Sequence, residues 1–359
     1  MVRVVNISPW RVKDANAIDM SKVSDEVDQA LQETGMVVIT GHGIPKTVLD
    51  DLLKDMDAWF TSMSAEDKER RFTMGPYGCL NGGYTKLGIE AVAASVEGKE
   101  ALKNVDGVES FVFRGKPTNF KGEAPSMQVA ADAYYDHVTS LLATLHAIIC
   151  RALGVDEKFF YETGIIPSMD IHSLKLSYYP QEEGVSLGNS LRYGAHTDFQ
   201  DITVLRPSKY DWMPLSGSSG TKNKVATTGG LQVFNSDTKE WECVVLPPHN
   251  DDDEEEPLCV NLGDFWEIWS HGKYISPLHR VTARGYEVDR SQIHYKEGEE
   301  DGEVSAARKS VIFFSVPDDK AVIKPLPGTL PAEHATTMYD GMERTAGEHL
   351  ALKLARINV

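Results

Sequence analysis

Leu191-Arg192-Tyr193-Gly194-Ala195-His196-Thr197-Asp198-Phe199-Gln200-Asp201-Ile202-Thr203-Val204-Leu205 is the stretch on which the reading of this chain turns. Leu191 to Gly194 lead in as a strand. Ile202-Thr203-Val204-Leu205 follow with β-branched and apolar residues, so His196-Thr197-Asp198 sits where one strand ends and another begins. Side chains on an extended strand alternate, so residues two apart face the same side and one ion can take both His196 and Asp198. His279, far downstream in Ser276-Pro277-Leu278-His279-Arg280-Val281, closes a facial triad. Two imidazoles and one carboxylate fill half of an octahedral shell and leave the rest open, unlike a closed structural zinc site.

Other segments add to this centre in a fixed order. Leu174-Lys175-Leu176-Ser177-Tyr178-Tyr179-Pro180 precedes it as a strand. Gly229-Gly230-Leu231-Gln232-Val233 and Cys259-Val260-Asn261-Leu262-Gly263-Asp264 lie between Asp198 and His279. Arg308-Lys309-Ser310-Val311-Ile312-Phe313-Phe314-Ser315-Val316-Pro317 comes last, with Arg308 and Ser310 two apart and so on one face. A guanidinium fork beside a hydroxyl can hold a carboxylate through two bonds.

The ordered set resembles the iron(II)/2-oxoglutarate-dependent dioxygenase superfamily, in the branch that includes isopenicillin N synthase, thymine hydroxylase and the plant flavonoid dioxygenases. The resemblance runs over nearly the whole chain. It implies Fe(II) on His196, Asp198 and His279, with 2-oxoglutarate and dioxygen as cosubstrates and ascorbate as an accessory reductant. It places the far carboxylate of 2-oxoglutarate on Arg308, Ser310 and Tyr179. Ser177 stands where the family commonly has Asn, and keeps a hydroxyl there. The implied reaction couples oxidative decarboxylation of 2-oxoglutarate to oxidation of an unactivated C–H bond of a small organic molecule, by hydroxylation, desaturation or oxidative cyclisation. Specialised metabolism is the expected setting.

Composition narrows the partners. The chain has 359 residues, 41% of them hydrophobic, which is enough for a large core. A net charge of −18 disfavours nucleic acid, which needs clustered Lys and Arg. Cys79, Cys150, Cys243 and Cys259 fall in no metal-binding spacing and suit reduced thiols. Neither a signal peptide nor an apolar run of membrane length is apparent. A soluble cytoplasmic protein, monomeric or homodimeric, is expected.

Along the chain, residues 3 to 8 and 36 to 40 read as strands around a helix that Ser24 could cap, with Val27 and Leu31 on its apolar side. Gly41-His42-Gly43-Ile44-Pro45 follows, and the resemblance makes His42 a structural residue in a strand-end turn. Lys46 to Met63 has the apolar spacing of an amphipathic helix. Residues 75 to 88 are rich in Gly and Tyr, and in the family such a loop passes over the substrate. Tyr84, Phe111, Phe199 and Trp212 are therefore the candidate substrate contacts. Residues 125 to 154 give the most regular helical pattern, running from Val129 to Ile149 and stopping at Gly154.

Three insertions depart from the family. Residues 206 to 228 combine Tyr210-Asp211-Trp212-Met213-Pro214-Leu215 with a Ser/Gly tail, the composition of a hinged flap over an apolar ligand. Asp251 to Glu256 is a run of six acids that reads as a mobile, solvated hairpin tip. Residues 285 to 307 separate His279 from Arg308. In the family the Arg follows the distal His more closely, which would nominate Arg290, but Arg308 alone carries the Arg-X-Ser strand. Ile323 to Gly328 resembles the family's closing strand, and Thr337 to Ile357 reads as a final helix.

The expected fold is mainly β with helical additions: a double-stranded β-helix, or jelly roll, backed by a long helix. Residues 1–120 would form an amino-terminal module packed on the barrel, and residues 121–359 the catalytic core, in one composite domain. Other functions fit the same residues less well. An iron oxidase of the isopenicillin N synthase type, independent of 2-oxoglutarate, shares the triad and the Arg-X-Ser. A zinc hydrolase lacks a Glu beside a ligand as general base. A binding module with a lapsed metal site would not need all of His196, Asp198, His279 and Arg308.

Overall fold

The longest apolar periodicity makes the longest helix. Gln128–Leu153 places Tyr134, Val138, Leu141, Leu142, Leu145 and Ile149 on one buried stripe. It stops where Gly154 turns left-handed at φ 70°, a conformation open to a residue without Cβ. Val129 departs from the expected stripe and is 78% exposed, because it falls on the solvent side of the first turn. Helices Ala17–Thr34 and Lys46–Thr61 pack on this one. The first is capped by Asn16, whose side chain accepts from the amide of Ile18. Ser24, expected as the cap, lies inside that helix and donates to the Met20 carbonyl instead.

This computed structural model describes residues 1–12, 16–73, 82–98, 105–156, 158–163, 165–166, 171–180, 191–207, 210–214, 224–247, 253–282, 308–329 and 343–357. No helix among them is long and apolar enough to cross a membrane. The strands are β1 (Arg3–Asn6), β2 (Met36–Thr40), β3 (Gly83–Thr85), β4 (Glu109–Arg114), β5 (Ser173–Tyr179), β6 (Leu191–His196), β7 (Ile202–Arg206) and β8 (Tyr210–Pro214). They continue with β9 (Lys224–Asn235), β10 (Glu240–Leu246), β11 (Leu258–Leu262), β12 (His279–Thr282), β13 (Arg308–Phe314), β14 (Val322–Ile323) and β15 (Arg344–Thr345).

One sheet runs β1-β2-β11-β7-β13-β5-β4-β3 and a second runs β10-β9-β12-β6, with β8 on β9. Together they form the expected jelly-roll core. Alternation gives the larger sheet two different faces. Phe111, Phe113, Leu174, Leu176, Val311 and Phe313 point outward and join the long helix in the main apolar core. Each such side chain, when fully buried, contributes roughly 1.5–3 kcal/mol. The opposite face looks across to the second sheet, where Met36, Val38 and Cys259 meet Leu231, Val233 and Val281 in a smaller core. Strands from the first 120 residues extend this same larger sheet, β2 pairing with β11 and β4 with β5.

Several outer elements differ from the sequence reading. The last acids of the 251–256 run are anchored rather than free in solvent. Glu256 is 3% exposed and accepts from Nε and Nη2 of Arg206 at 3.0 and 2.8 Å, and Glu255 accepts from the Gly43 amide. A buried guanidinium needs a carboxylate, and that need overrides the solvation of a charge run. The expected closing strand is the two-residue β14, which pairs with β15 outside both jelly-roll sheets. The last helix begins at Ala346 and not at 337, because Arg344 and Thr345 are taken by β15. Residues 337–342, and the whole 285–307 extension with Arg290, lie outside the described residues.

Candidate active site

The two sheets bring the three expected metal ligands together at one strand pair. β6 ends at His196 and β12 begins at His279, and the register sets these residues directly opposite each other, with ring centroids 4.2 Å apart. Asp198 lies just beyond β6. Its Oδ1 is 3.7 Å from His196 Nε2 and 3.9 Å from His279 Nε2. One donor atom from each residue lies within 4.8 Å of the others, and all three residues are buried.

The surroundings decide which atoms face inward. His196 Nδ1 lies 2.9 Å from the Gly194 carbonyl and His279 Nδ1 lies 3.0 Å from the Pro277 carbonyl. Each Nδ1–H is thereby spent on the backbone, and each Nε2 lone pair is turned into the cluster. Asp198 Oδ2 accepts from Thr203 Oγ1 at 2.6 Å and from Asn261 Nδ2 at 2.7 Å, which leaves Oδ1 for an ion. Burial, and then the neighbouring His279, push the His196 pKa down to about 3, so the ring is neutral and available as a ligand. Burial works against the charge of Asp198, but the two histidines and the two donors outweigh it and hold the carboxyl below its ordinary range. Two imidazoles and one single-oxygen carboxylate fit Fe(II) with open positions.

Thr203 and Asn261 were missed in the sequence. They stand opposite each other on the paired strands β7 and β11, a register that no local pattern reveals. The available signal was a polar residue flanked by apolar neighbours in each of two strands.

Across the chamber, the β5–β13 register places Tyr179 opposite Arg308 and Ser177 opposite Ser310. Arg308, Tyr179 and Ser310 are all at least 97% buried. The guanidinium carbon of Arg308 sits 4.9 Å from the Tyr179 ring centroid. Burial raises the Tyr179 pKa, and the nearby Arg308 charge pulls it the other way. A fixed cation, a phenol and a hydroxyl on one inward face can seat a carboxylate.

A second polar group was not foreseen. Glu90 Oε2 accepts from Lys175 Nζ at 2.5 Å and from Tyr193 OH at 2.8 Å, and Glu90 Oε1 accepts from Ser110 Oγ at 2.9 Å. Burial opposes charge on Glu90, yet Lys175 and the two hydroxyl donors hold it below the usual carboxylate range. The Tyr193 ring stands edge-on to His196, with centroids 5.0 Å apart, which joins this group to the triad. Nearby Asp106 accepts from the amides of Val92 and Gly194, and burial pushes its pKa up to about 7.

Of the candidate substrate residues, Tyr84 and Phe111 do not join Phe199 beside the triad. Tyr84 and Phe111 lie on the helix-facing side of the larger sheet, around Trp59, and belong to the main core. The Tyr84 hydroxyl donates to Glu109, which is also paired with Lys68. They were misjudged because a strand's facing follows from its partners' register. Phe199 is half-buried beside the triad, with Lys353 of the last helix 5.4 Å above its ring. Lys353 also bonds Asp264, whose amide donates to the Asp198 carbonyl. Trp212 is on β8, but its side chain and residues 215–223 lie outside the described residues. His42 is structural, with Nε2 2.6 Å from the Glu256 carbonyl.

Comparison with known proteins agrees with this fold. A family model described as non-haem dioxygenase in morphine synthesis N-terminal matches residues 2–127, and one described as 2OG-Fe(II) oxygenase superfamily matches residues 171–317. Gibberellin 2-beta-dioxygenase 4 of Arabidopsis thaliana is 24% identical over 91% of this chain and 87% of its own. Validamycin A dioxygenase of Streptomyces hygroscopicus subsp. limoneus is 24% identical over 90% of this chain and 79% of its own. Among solved structures, a full-length Neurospora crassa protein in complex with alpha-KG superposes with a TM-score of 0.71 at 20% identity, covering 98% of this chain and 95% of that one.

Proposed function

The chain belongs to the 2OG-Fe(II) oxygenase superfamily, and on that footing we propose that it oxidises an unactivated C–H bond of a small organic substrate, using Fe(II) on His196, Asp198 and His279 and 2-oxoglutarate on Arg308, Ser310 and Tyr179. The observation that carries this reading is the division of labour at Asp198. Thr203 and Asn261 hold one oxygen while the other joins two Nε2 atoms whose rings are locked by backbone carbonyls. Such support is characteristic of a built metal site.

When bound, iron and 2-oxoglutarate supply the chemistry that uses dioxygen to break a C–H bond. The protein supplies placement. His196 stays neutral because burial disfavours its charged form, and the Nδ1 contacts of His196 and His279 turn both Nε2 atoms into the cluster. Arg308 would meet the far carboxylate of the cosubstrate, with the Tyr179 and Ser310 hydroxyls beside it. Tyr193, Lys175 and Glu90 stand together on the side toward His196. The match to the 2OG-Fe(II) family over residues 171–317 favours this reading over an oxidase that needs no 2-oxoglutarate.

Hydroxylation, desaturation and ring closure all remain open to such a site, since the outcome follows substrate pose. The setting is specialised metabolism in the cytoplasm, with the protein acting as a monomer or homodimer and its first 120 residues forming a module on the barrel. Oxygen uptake and succinate release by the Fe(II)-loaded protein, with and without 2-oxoglutarate, test the proposal. Slow succinate release that needs both Fe(II) and 2-oxoglutarate is expected. Oxygen uptake without 2-oxoglutarate would point to the oxidase.

A further inference from the structure

The chamber wall beyond the cosubstrate carries a row of hydroxyls, with Val112 and Ile312 as the apolar members of the next row on the same face. Thr85 pairs with Ser110, Ser110 with Ser177, and Ser177 with Ser310, so one row crosses β3, β4, β5 and β13. Directly paired residues share a face, and Ser110 shows which face this is. Its hydroxyl reaches Glu90, which also holds Tyr193 of the second sheet, so the row looks into the space between the sheets. All four residues are at least 94% buried. The Oγ1 of Thr85 and the Oγ of Ser177 have no hydrogen-bond partner among the described residues.

Buried hydroxyls without partners are uncommon and call for one. Ser310 lies at the carboxylate end of the row, beside Arg308. Ser110 lies two strands away from it, on Glu90, and Thr85 one strand further. Glu90 and Lys175 already neutralise each other at 2.5 Å. A net charge brought by a ligand would have to compete with that pair, whereas a neutral group that both donates and accepts would satisfy the wall as it stands. Hydroxyls do both.

We infer that this end of the chamber recognises a neutral, polyhydroxylated small molecule, with Thr85 and Ser110 reading its hydroxyl groups. This reverses the sequence expectation of a largely apolar substrate. It rests on the proposed function, since it names the substrate class of the same site. A hydrogen-bonding wall discriminates strongly, because a ligand that lacks the hydroxyl leaves the wall's own groups unpaired.

The test uses the full chain loaded with Mn(II) and 2-oxoglutarate, reading paramagnetic relaxation of probe protons by NMR. The probes are myo-inositol, methyl α-glucoside and cyclohexanol, which share a six-membered ring and differ in hydroxyl count. The two polyols should be relaxed and cyclohexanol should not. Thr85→Val, which removes one hydroxyl at nearly constant volume, should weaken polyol binding at least tenfold, and Thr85→Ser should restore most of it. Affinity for 2-oxoglutarate should change less than twofold in both. Relaxation of cyclohexanol as strong as that of the polyols, absence of relaxation of either polyol, or polyol binding unchanged by Thr85→Val would overturn the inference. Failure of the protein to hold Mn(II) by calorimetry would instead overturn the metal assignment itself.

Discussion

In the proposed site Asp198 would offer Oδ1 to an ion while Thr203 and Asn261 hold Oδ2. Asn261→Ala should therefore weaken metal binding by roughly 10- to 100-fold with the fold intact, measured by Mn(II) calorimetry. Unchanged affinity would remove Asn261 from the site. Arg308 makes a parallel case. Arg308→Ala should cost roughly 2 to 5 kcal/mol of 2-oxoglutarate binding, seen as a raised requirement for it, and Arg290→Ala should do little. The reversed result would move the carboxylate seat into the 285–307 extension. Asp106 gives a pH signature. Its folded pKa of about 7 lies above that of an unfolded Asp, so the folded state binds more protons over the interval between them and loses stability as pH rises. The stability of the wild type relative to Asp106→Asn should accordingly fall from pH 4 to pH 7 in urea titrations, and a flat difference would contradict the shift. At this scale the clustering of His196, Asp198 and His279 was legible because His-X-Asp is a local pattern that strand alternation interprets. Thr203, Asn261, Glu90 and Asp106 were not, since each acts through a partner brought near only by the sheet.

Strands and helices were easier to locate than to orient. The long helix and the strands at 36–40, 191–196 and 308–314 follow from periodicity and β-branched runs. Which face each strand buries depends on its neighbours, and so Tyr84 and Phe111 were assigned to the chamber although they serve the helix-side core. The acidic run shows the same limit, because its charge pattern carried no sign of Arg206. That pair makes a clear prediction at the level of the element. Arg206→Ala leaves the Glu256 carboxylate buried and alone, and should destabilise the protein by roughly 3 to 5 kcal/mol. Glu254→Ala, at an exposed position of the same run, should stay within about 0.5 kcal/mol. Equal and small effects in urea unfolding would return the run to a solvated tip.

For the molecule as a whole, the fold sets a division between faces. The larger sheet gives one side to helices and apolar packing, and the other to an inward row of Arg308, Ser310, Ser177 and Ser110 that faces the triad on the second sheet. The overall architecture was readable because the motifs keep their order along the chain. The chamber's polarity was not, because it arises from four strands laid side by side. The central claim is that His196, Asp198 and His279 hold one Fe(II) that 2-oxoglutarate then joins. Its most direct test is an anaerobic titration of the metal-free protein with Fe(II) in the presence of 2-oxoglutarate, followed by the visible charge-transfer band of the iron–2-oxoglutarate complex. The band should grow to saturation at one equivalent of Fe(II) and be lost in His279→Ala; no band in the wild type, or an undiminished band in His279→Ala, would contradict the account.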